Sequence, residues 1–347
     1  MTPADLIADR DVVVSLSGGK DSAAACLHLL ELGIPHRRVY MDTGWEDRTV
    51  YQHLDVLEER LGEVVRLRQE VPILPGYEAE IGELESMIGV DNSPMVRLCV
   101  WKGCFPGQGT RWCTSHLKVV PVARWFAAQD GDVVNVVGIR RAESQSRSTA
   151  LEWEPMTAVS VNPVVREPGE GTKIDLSHVE QWRPLVDWTV EDVIAIHARH
   201  DLPLAQLYRQ GATRVGCWPC IYAANKEDLR AFSSDTDRIE VVRRLEVIVG
   251  RRWRERIEAR GESVDDKSPP TWFQARDPVA LDQWRADHPE AGPEDGKRHL
   301  GIPIDRAIEW ANTARGGRQR LLFAPPQRDW ACAKWGFCEM SDKEVEP

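Results

Sequence analysis

Short apolar runs alternate with amphipathic stretches along the first part of the chain. The runs at 12–16, 38–41, 63–67 and 133–137 are rich in valine and other apolar residues and have the length of strands. An Ala- and Leu-rich stretch at 23–30 follows the first run and has the spacing of a helix. Strands that alternate with helices predict an α/β protein built on a parallel sheet.

Further amphipathic stretches predict helices at 51–61 and 190–200 and a charged helix pair over 226–259. The stretch 72–109 differs from these because turn residues are frequent in it. It predicts a long irregular segment, of the kind that usually has a function or moves.

The length of the chain predicts two domains, or one large α/β domain with an appendage. Its 347 residues are too many for one small hydrophobic core, and we place the first domain at 1–225 and a second, helical region at 226–347. No run of about 18 apolar residues occurs, and the residues after Met1 are polar instead of forming a signal peptide. We expect a soluble cytoplasmic protein without a membrane anchor, which is compatible with a homo-oligomer.

Net charge limits the partners that the protein can bind. The 44 basic and 55 acidic residues give a net charge of −11, which discourages non-specific binding to a polyanion. A nucleic-acid acceptor would therefore need a local basic patch or a partner that delivers it. The turn at 315–320 holds three arginines and is a candidate for such a patch.

The turn between the first strand and the first helix reads SGGKDS and predicts a phosphate site. Gly18 and Gly19 allow close approach of the backbone to an anion, at the positive end of the following helix. Ser17 and Ser22 add hydroxyl donors, and Lys20 adds a compact positive charge. The adjacent glycines exclude the G-x-x-x-x-G-K-[ST] loop. The candidate nucleotide-binding residues here are Ser15, Ser17, Gly18, Gly19, Lys20, Asp21 and Ser22.

Asp42 and Thr43 follow the second predicted strand. Ligands of an open parallel sheet bind beyond the carboxyl ends of its strands, so these residues are expected beside the first turn. Asp42 could accept hydrogen bonds from a ribose or an adenine amine, or hold Mg²⁺. It could equally cap the following helix.

The segment after the strand at 133–137 predicts a second anion site. It starts at Gly138 and contains Arg140, Arg141, Ser144 and Arg147. Guanidinium groups bind phosphate or sulfate through paired hydrogen bonds, and the position after a strand end favours a ligand over a solvated turn.

Five segments occur in one order along the chain. They are SGGKDS, D-T-G at 42–44, R-x-C-T-x-x-L-K-x-x-P at 111–121, G-x-R-x-x-E-S-x-x-R at 138–147 and R-P-L-V-D-W-T-x-x-D-V at 183–193. In this order they resemble the phosphoadenosine phosphosulfate (PAPS) reductase family, over roughly residues 10–225.

The resemblance implies the adenine nucleotide α-hydrolase fold, a Rossmann-like parallel sheet with helices on both faces, here followed by a mainly helical carboxy-terminal region. The family is similar to the ATP pyrophosphatases that insert sulfur, including those of DNA phosphorothioation and tRNA thiolation. This likeness implies ATP and Mg²⁺ as ligands, adenylation of an acceptor, and a cysteine desulfurase or another sulfur donor as partner. The catalytic residues that it implies are Lys20, Asp21 and Arg140.

Eight cysteines are present, and a cytoplasmic nucleotide enzyme keeps its thiols reduced. Cys26 lies on the apolar face of the first helix and is expected in the core. The turn Cys217-x-x-Cys220 can bring two thiolates to one metal ion or cluster, which typically takes four. A redox dithiol or unliganded thiols are the alternatives. The candidate ligands are Cys113, Cys217, Cys220, Cys332 and Cys338.

The cysteine pattern departs from the family at one ligand position. Cluster-bearing adenylyl-sulfate reductases have Cys-Cys where this chain has Cys113-Thr114, so one ligand must come from elsewhere. Cys99 and Cys104 suit that place less well than the carboxy-terminal pair. Four thiolates suit either an iron-sulfur cluster or zinc. Only the resemblance favours a [4Fe-4S] cluster.

The carboxy-terminal cysteine also departs from the reductases, whose nucleophile lies in a Glu-Cys-Gly-like tail. Here Cys338 precedes Glu339, and Gly336 precedes the cysteine. We therefore favour an ATP pyrophosphatase acting in sulfur transfer over an adenylyl-sulfate or phosphoadenylyl-sulfate reductase that releases sulfite. A non-catalytic nucleotide-sensing subunit is the third interpretation.

Overall fold

A computed structural model describes the chain from residue 7 onward, with gaps. Ser144, Cys332, Cys338 and the basic turn at 315–320 lie outside the described residues. The residues that it describes are 7, 9–107, 111–143, 147–161, 172–221, 226–264, 268–273, 283, 285–290 and 301–313.

Six strands form the main sheet, in the order β3-β2-β1-β4-β8-β5. All neighbouring pairs are parallel except β5 with β8, and β6 pairs with β7 in a separate antiparallel sheet. The parallel sheet predicted from the alternating pattern is confirmed. The strands are β1 (Asp11–Leu16), β2 (Arg37–Asp42), β3 (Val64–Arg68), β4 (Val133–Val136), β5 (Trp153–Pro155), β6 (Val159–Val161), β7 (Thr172–Ile174) and β8 (Val179–Trp182).

Helices connect the strands and continue beyond the sheet. One of them, α5, contains a π-helical turn at Ser115–Val119 between Trp112–Thr114 and Val120–Ala127. The others are α1 (Lys20–Glu31), α2 (Arg48–Leu61), α3 (Glu78–Ile88), α4 (Pro94–Lys102), α6 (Val190–Arg199), α7 (Gln206–Arg209), α8 (Lys226–Phe232), α9 (Thr236–Glu258) and α10 (Ile304–Asn312).

Both faces of the sheet are covered, because side chains of a strand alternate between them. In β1, Val12, Val14 and Leu16 pack with α1, α2 and α6 in the larger hydrophobic cluster. Val13 points to the other face and packs with Phe126 of α5. The expectation of helices on both faces is confirmed.

The stretch 72–109 is not the irregular segment that its turn residues predict. It contains α3 and α4, and the turn residues are largely at their ends. Gly89 and Gly103 end these helices in the left-handed conformation. Ser93 caps α4, with Pro94 at its first turn. The prediction was wrong because helix-capping residues and loop residues are the same types.

Helices beyond residue 225 pack directly on the sheet domain. α9 packs against α3 and α4, and α10 packs against α8 and α9. Arg243 of α9 also pairs with Asp305 of α10, with Nη2 and Oδ1 2.7 Å apart. The described part of the carboxy-terminal region is mainly helical, while its separation from 1–225 as a domain stays a prediction. None of the described helices is both long and apolar enough to cross a lipid bilayer.

Candidate functional site

The turn between β1 and α1 has the backbone of an anion-binding loop. Gly18 has a φ of +75°, a conformation that favours glycine. Ser22 Oγ accepts a hydrogen bond from the Ser17 amide at 3.0 Å, and the Gly19 amide donates to Ser17 Oγ at 3.3 Å. Since α1 begins at Lys20, the positive end of its dipole lies at this turn. The Ser17 and Gly19 amides are satisfied within the turn, so the helix dipole and the cationic side chains beside it are what would attract an anion.

Two buried cations meet one carboxylate beside this turn. Lys20 Nζ lies 2.8 Å from Asp21 Oδ2, and Arg140 Nε lies 2.6 Å from Asp21 Oδ1. Lys20 and Arg140 are only 7% and 6% exposed. These three charges sum to one positive charge, at the amino terminus of a helix, which suits a phosphate group. The structure thus brings together the three residues predicted to be catalytic.

Gly138, which follows β4, packs directly on the backbone of the turn. A Cβ atom at this position would lie 2.4 Å from the carbonyl oxygen of Asp21 and 2.7 Å from the amide nitrogen of Ser22. A side chain cannot fit there without moving one backbone away from the other. This close approach accounts for the glycine, and it places Arg140 against Asp21.

Two residues from distant helices hold the backbone of Lys20, and sequence reasoning missed both. The Lys20 amide donates to Tyr208 Oη at 3.3 Å, and the ring nitrogen Nε2 of His197 lies 2.8 Å from the Lys20 carbonyl oxygen. His197 belongs to α6 and Tyr208 to α7. Helices α6 and α7 therefore fix the first residue of α1.

Replacement of Tyr208 by phenylalanine should weaken nucleotide binding, with ATP as the probe, about 3- to 10-fold, the loss expected for one hydrogen bond that positions the Lys20 amide. Isothermal titration calorimetry measures the effect. Tyr40→Phe is the matched control, because Tyr40 is also buried and its hydroxyl has no hydrogen-bond partner in the described structure. Equal ATP affinities for Tyr208→Phe and Tyr40→Phe would contradict the positioning role.

Asp42, at the carboxyl end of β2, accepts hydrogen bonds from three neighbours. Its Oδ1 lies 2.8 Å from the Gly44 amide and 2.8 Å from Tyr51 Oη. Its Oδ2 lies 3.0 Å from Arg68 Nε. Helix α2 is capped by Asp47, whose carboxylate accepts from its first turn. The alternative that Asp42 caps this helix is therefore wrong, and Asp42 is the last residue of β2, at its carboxyl end.

Thr43 is held by Glu46, a buried carboxylate that sequence reasoning did not single out. Glu46 is 1% exposed and accepts from the Thr43 amide at 3.2 Å, the Thr43 hydroxyl at 2.8 Å and the Trp45 amide at 3.1 Å. Burial raises the pKa of this carboxyl group. Cys217 Sγ lies 3.8 Å from Glu46 Oε1, so the Cys-x-x-Cys turn is packed against the segment after β2.

Three predicted cysteine ligands lie near one half-buried lysine, Lys118, in the π-helical turn of α5. Cys217, then Glu46, and after them Cys220 and Cys113 raise the pKa of Lys118, while burial lowers it. Burial raises the pKa of Cys113 and Cys217, and the Lys118 charge opposes this rise. A cavity of about 60 Å³ is lined by Lys118, Cys217 and Cys220 among others. Sequence analysis did not predict a role for Lys118. Its one signal was that it belongs to the segment 111–121, which carries part of the family resemblance.

These thiols do not form a finished metal site. Within the described ranges, no group of three or more His, Cys, Asp or Glu side chains could hold a metal ion. Cys332 and Cys338 lie outside those ranges. Cys26 and Cys99 are fully buried and Cys104 is half-buried, and the expectation that Cys26 belongs to the core is confirmed.

Other predicted nucleotide-binding residues make contacts away from the loop. Ser15 Oγ donates to Asn135 Oδ1 of β4 at 2.8 Å. Arg141 pairs with Asp187, and Arg147 pairs with Glu143. Of the arginines predicted for a second anion site, Arg140 is the one that the structure places on the loop.

The first strand of the parallel sheet leads through the anion-binding turn into a helix, and acids and arginines lie at the ends of the neighbouring strands. This arrangement defines a nucleotide-binding domain of the adenine nucleotide α-hydrolase-like fold. The chain belongs to the PAPS reductase family, because the phosphoadenosine phosphosulfate reductase domain matches residues 11–223.

Relatives resemble this chain to different extents. An uncharacterized 37.8 kDa protein of Escherichia phage 186 is 30% identical over 94% of this chain and 96% of its own length. The phosphoadenosine 5′-phosphosulfate reductase of Xanthomonas oryzae is 28% identical over 60% of this chain and 70% of its own. The adenosine 5′-phosphosulfate reductase of Deinococcus radiodurans is 42% identical over 34% of this chain and 39% of its own.

Proposed function

We propose that this protein is an ATP pyrophosphatase that adenylates an acceptor for sulfur transfer. The observation that carries the proposal is the loop at 17–22, where two buried cations and a helix amino terminus converge on one carboxylate. The phosphates of ATP would lie on this loop, and Mg²⁺ bound with ATP would offset part of their negative charge. The nucleoside would lie toward Asp42 and Thr43, beyond the adjacent strand.

The chain's own groups would act mainly by electrostatic stabilisation. An oxygen of the acceptor attacks the α-phosphorus, the bond to the β-phosphate oxygen breaks, and pyrophosphate leaves. Lys20 and the positive end of α1 stabilise the charge that develops on pyrophosphate. Arg140 binds a second anionic group, and Asp21 orients Lys20 and Arg140 because it contacts both.

Sulfur from a cysteine desulfurase, or from another donor, would then displace AMP from the adenylated acceptor. We propose a nucleic acid as the acceptor class, either DNA for phosphorothioation or RNA for thiolation. The protein has a net charge of −11, which repels a polyanion. Such an acceptor must therefore bind to a local basic surface or be delivered by a partner.

We also propose a [4Fe-4S] cluster, with zinc as the less favoured occupant. Cys113, Cys217 and Cys220 lie around Lys118, a positive charge that would suit thiolate ligands. A fourth ligand would come from Cys332 or Cys338. The cluster would supply a redox-active or structural iron centre, and no step above depends on it.

The alternative is an adenylyl-sulfate or phosphoadenylyl-sulfate reductase, which is favoured by the reductases among the relatives. In that reaction the same loop would hold a nucleotide sulfate, and a thiol would take the sulfur. The order Cys338-Glu339 argues against it, because the tail of the reductases has the reverse order.

Anaerobic purification followed by two parallel assays separates these functions. Pyrophosphate release from ATP and Mg²⁺, tested with and without DNA or tRNA, supports the proposed function. Thioredoxin-dependent sulfite release from adenylyl sulfate or its 3′-phosphate, lost in Cys338→Ser, supports the reductase. ATP binding without either product supports the nucleotide-sensing subunit and overturns both enzymes.

Iron and acid-labile sulfide analysis tests the cluster separately. We expect about four iron and four sulfide per chain, as a cubane cluster requires, and loss of most of both in Cys217→Ser. Cys26→Ser is the matched control, since Cys26 is a fully buried core residue of α1 and the charge beside it is Arg38. Zinc without sulfide, or neither metal, would contradict the cluster.

A further inference from the structure

The imidazole of His197 is placed between two carbonyl oxygens. Nε2 lies 2.8 Å from the carbonyl oxygen of Lys20, at the start of α1. Nδ1 lies 3.2 Å from the carbonyl oxygen of Leu202, just after α6. His197 is 3% exposed, so water does not replace either partner readily. Both ring nitrogens are therefore committed to acceptors.

Only the doubly protonated ring satisfies both contacts. A neutral imidazole has one N–H group, so it can donate to Lys20 or to Leu202, and its other nitrogen then presents a lone pair to a carbonyl oxygen. The imidazolium has two N–H groups and donates to both. The geometry thus favours a second proton on His197, and burial of the charge opposes it.

The charged groups around His197 connect it to the phosphate loop. From α1, Asp21 favours the protonated ring and Lys20 opposes it. From α2, His53 faces the ring, and burial followed by the charge of His197 lowers the pKa of His53 to about 4. Burial is the largest influence on His197 and lowers its pKa. Phosphate groups bound on the loop would add negative charge beside Lys20 and favour the imidazolium.

We propose that His197 takes up a proton when a nucleotide polyphosphate binds to the loop at 17–22, so that phosphate binding and protonation stabilise each other through the Lys20 carbonyl. This inference deepens the proposed function and rests on ATP binding at that loop. His197 is a positioning residue, since it acts through the backbone of Lys20 and does not reach the reacting atoms.

The sign of the pH dependence follows from linkage. A ligand that raises the pKa of a group binds more tightly below the raised pKa and loses that advantage as the pH rises through it. If phosphate binding raises the pKa of His197 by about one unit, affinity for ATP should fall about tenfold across the transition. Since burial lowers the pKa of His197 in the free protein, the effect should be seen from mildly acidic to near-neutral pH.

Calorimetry of ATP binding at pH 6.5, in buffers with different ionisation enthalpies, counts the protons taken up. The γ-phosphate of ATP also exchanges protons in this range, so the test compares the wild type with His197→Gln, with Mg²⁺ present throughout. Glutamine can still donate to the Lys20 carbonyl but does not titrate. We expect the wild type to take up about half a proton more per site than the variant.

His53→Gln is the matched control, because His53 is a buried neighbour with a pKa of about 4 and is already neutral at the pH of the experiment. It should take up as many protons as the wild type. Equal proton numbers for the wild type and His197→Gln, with ATP bound to both, would overturn this inference alone. Absence of ATP binding to the wild type would overturn the proposed function and this inference with it.

A second measurement needs no variant. In ¹⁵N-labelled wild-type protein, addition of ATP should give one histidine ring with N–H groups on both nitrogens at a pH where the free protein has a neutral ring. If no histidine gains a second N–H on saturation with ATP, the proposal is wrong.

Discussion

Substitution of Gly138 by alanine should remove ATP binding, with a loss of affinity of about 30-fold or more, and destabilise the protein by about 2–3 kcal/mol, as overpacking does. The new Cβ atom would lie 2.4 Å from the Asp21 carbonyl oxygen and 2.5 Å from its carbonyl carbon. These are backbone atoms, which cannot rotate away. Either the turn at 17–22 or the segment after β4 must therefore move, and Arg140 would lose its place beside Asp21.

Calorimetric ATP titration and urea unfolding measure the two effects. Gly82→Ala is the matched control, because Gly82 lies in the exposed middle of α3 with nothing within 4 Å of its added Cβ. It should leave ATP binding unchanged and stabilise the helix by about 0.5–1 kcal/mol. Wild-type ATP affinity in Gly138→Ala would show that the strand end does not pack on the loop as described.

Replacement of Lys20 by methionine should lower kcat/KM for pyrophosphate release by about 10²- to 10³-fold, the range for losing one preorganised group that stabilises developing charge. Methionine keeps the length of the side chain and removes the charge. Asp21 would then be paired with Arg140 alone, and the site would change from net positive to neutral. Phosphate binding and stabilisation of the leaving pyrophosphate would both weaken.

Steady-state pyrophosphate assays of purified variants measure this effect. Lys173→Met is the matched control, because Lys173 is an exposed lysine on β7, and its kcat/KM should equal that of the wild type. Circular dichroism spectra like the wild type's would exclude a folding defect in Lys20→Met. A rate within threefold of the wild type would place the chemistry outside this loop.

The strand, turn and helix around SGGKDS could be predicted because all their determinants are contiguous. A buried strand, a glycine turn and a helix start follow one another within residues 12–30, and each has a local signal. Gly138 and Arg140 could be placed near the loop because their strand is predicted to be parallel and ligands bind beyond strand ends. The choice among Arg140, Arg141 and Arg147 could not be predicted, since it depends on where each side chain points.

The residues that hold the Lys20 backbone from distant helices have no recognisable pattern in the sequence around them. Tyr208 lies in the four-residue helix α7, and His197 lies in an amphipathic helix where a buried histidine looks like any other core position. The strand β8 was missed as well, because Val179–Trp182 is short and half polar. Its place between β4 and β5 is set by pairing with these strands, which the sequence of four residues does not reveal.

The two contacts on Lys20 have a consequence for biosynthesis. They join positions separated by 177 and 188 residues, so a nascent chain that has exposed only β1 to β4 outside the ribosome carries the SGGKDS sequence without its supports. Nucleotide capture should therefore begin only after the segment through Tyr208 has emerged and docked. ATP added during translation should therefore bind only to nascent chains in which the segment through Tyr208 has docked. It should not assist the folding of shorter nascent chains.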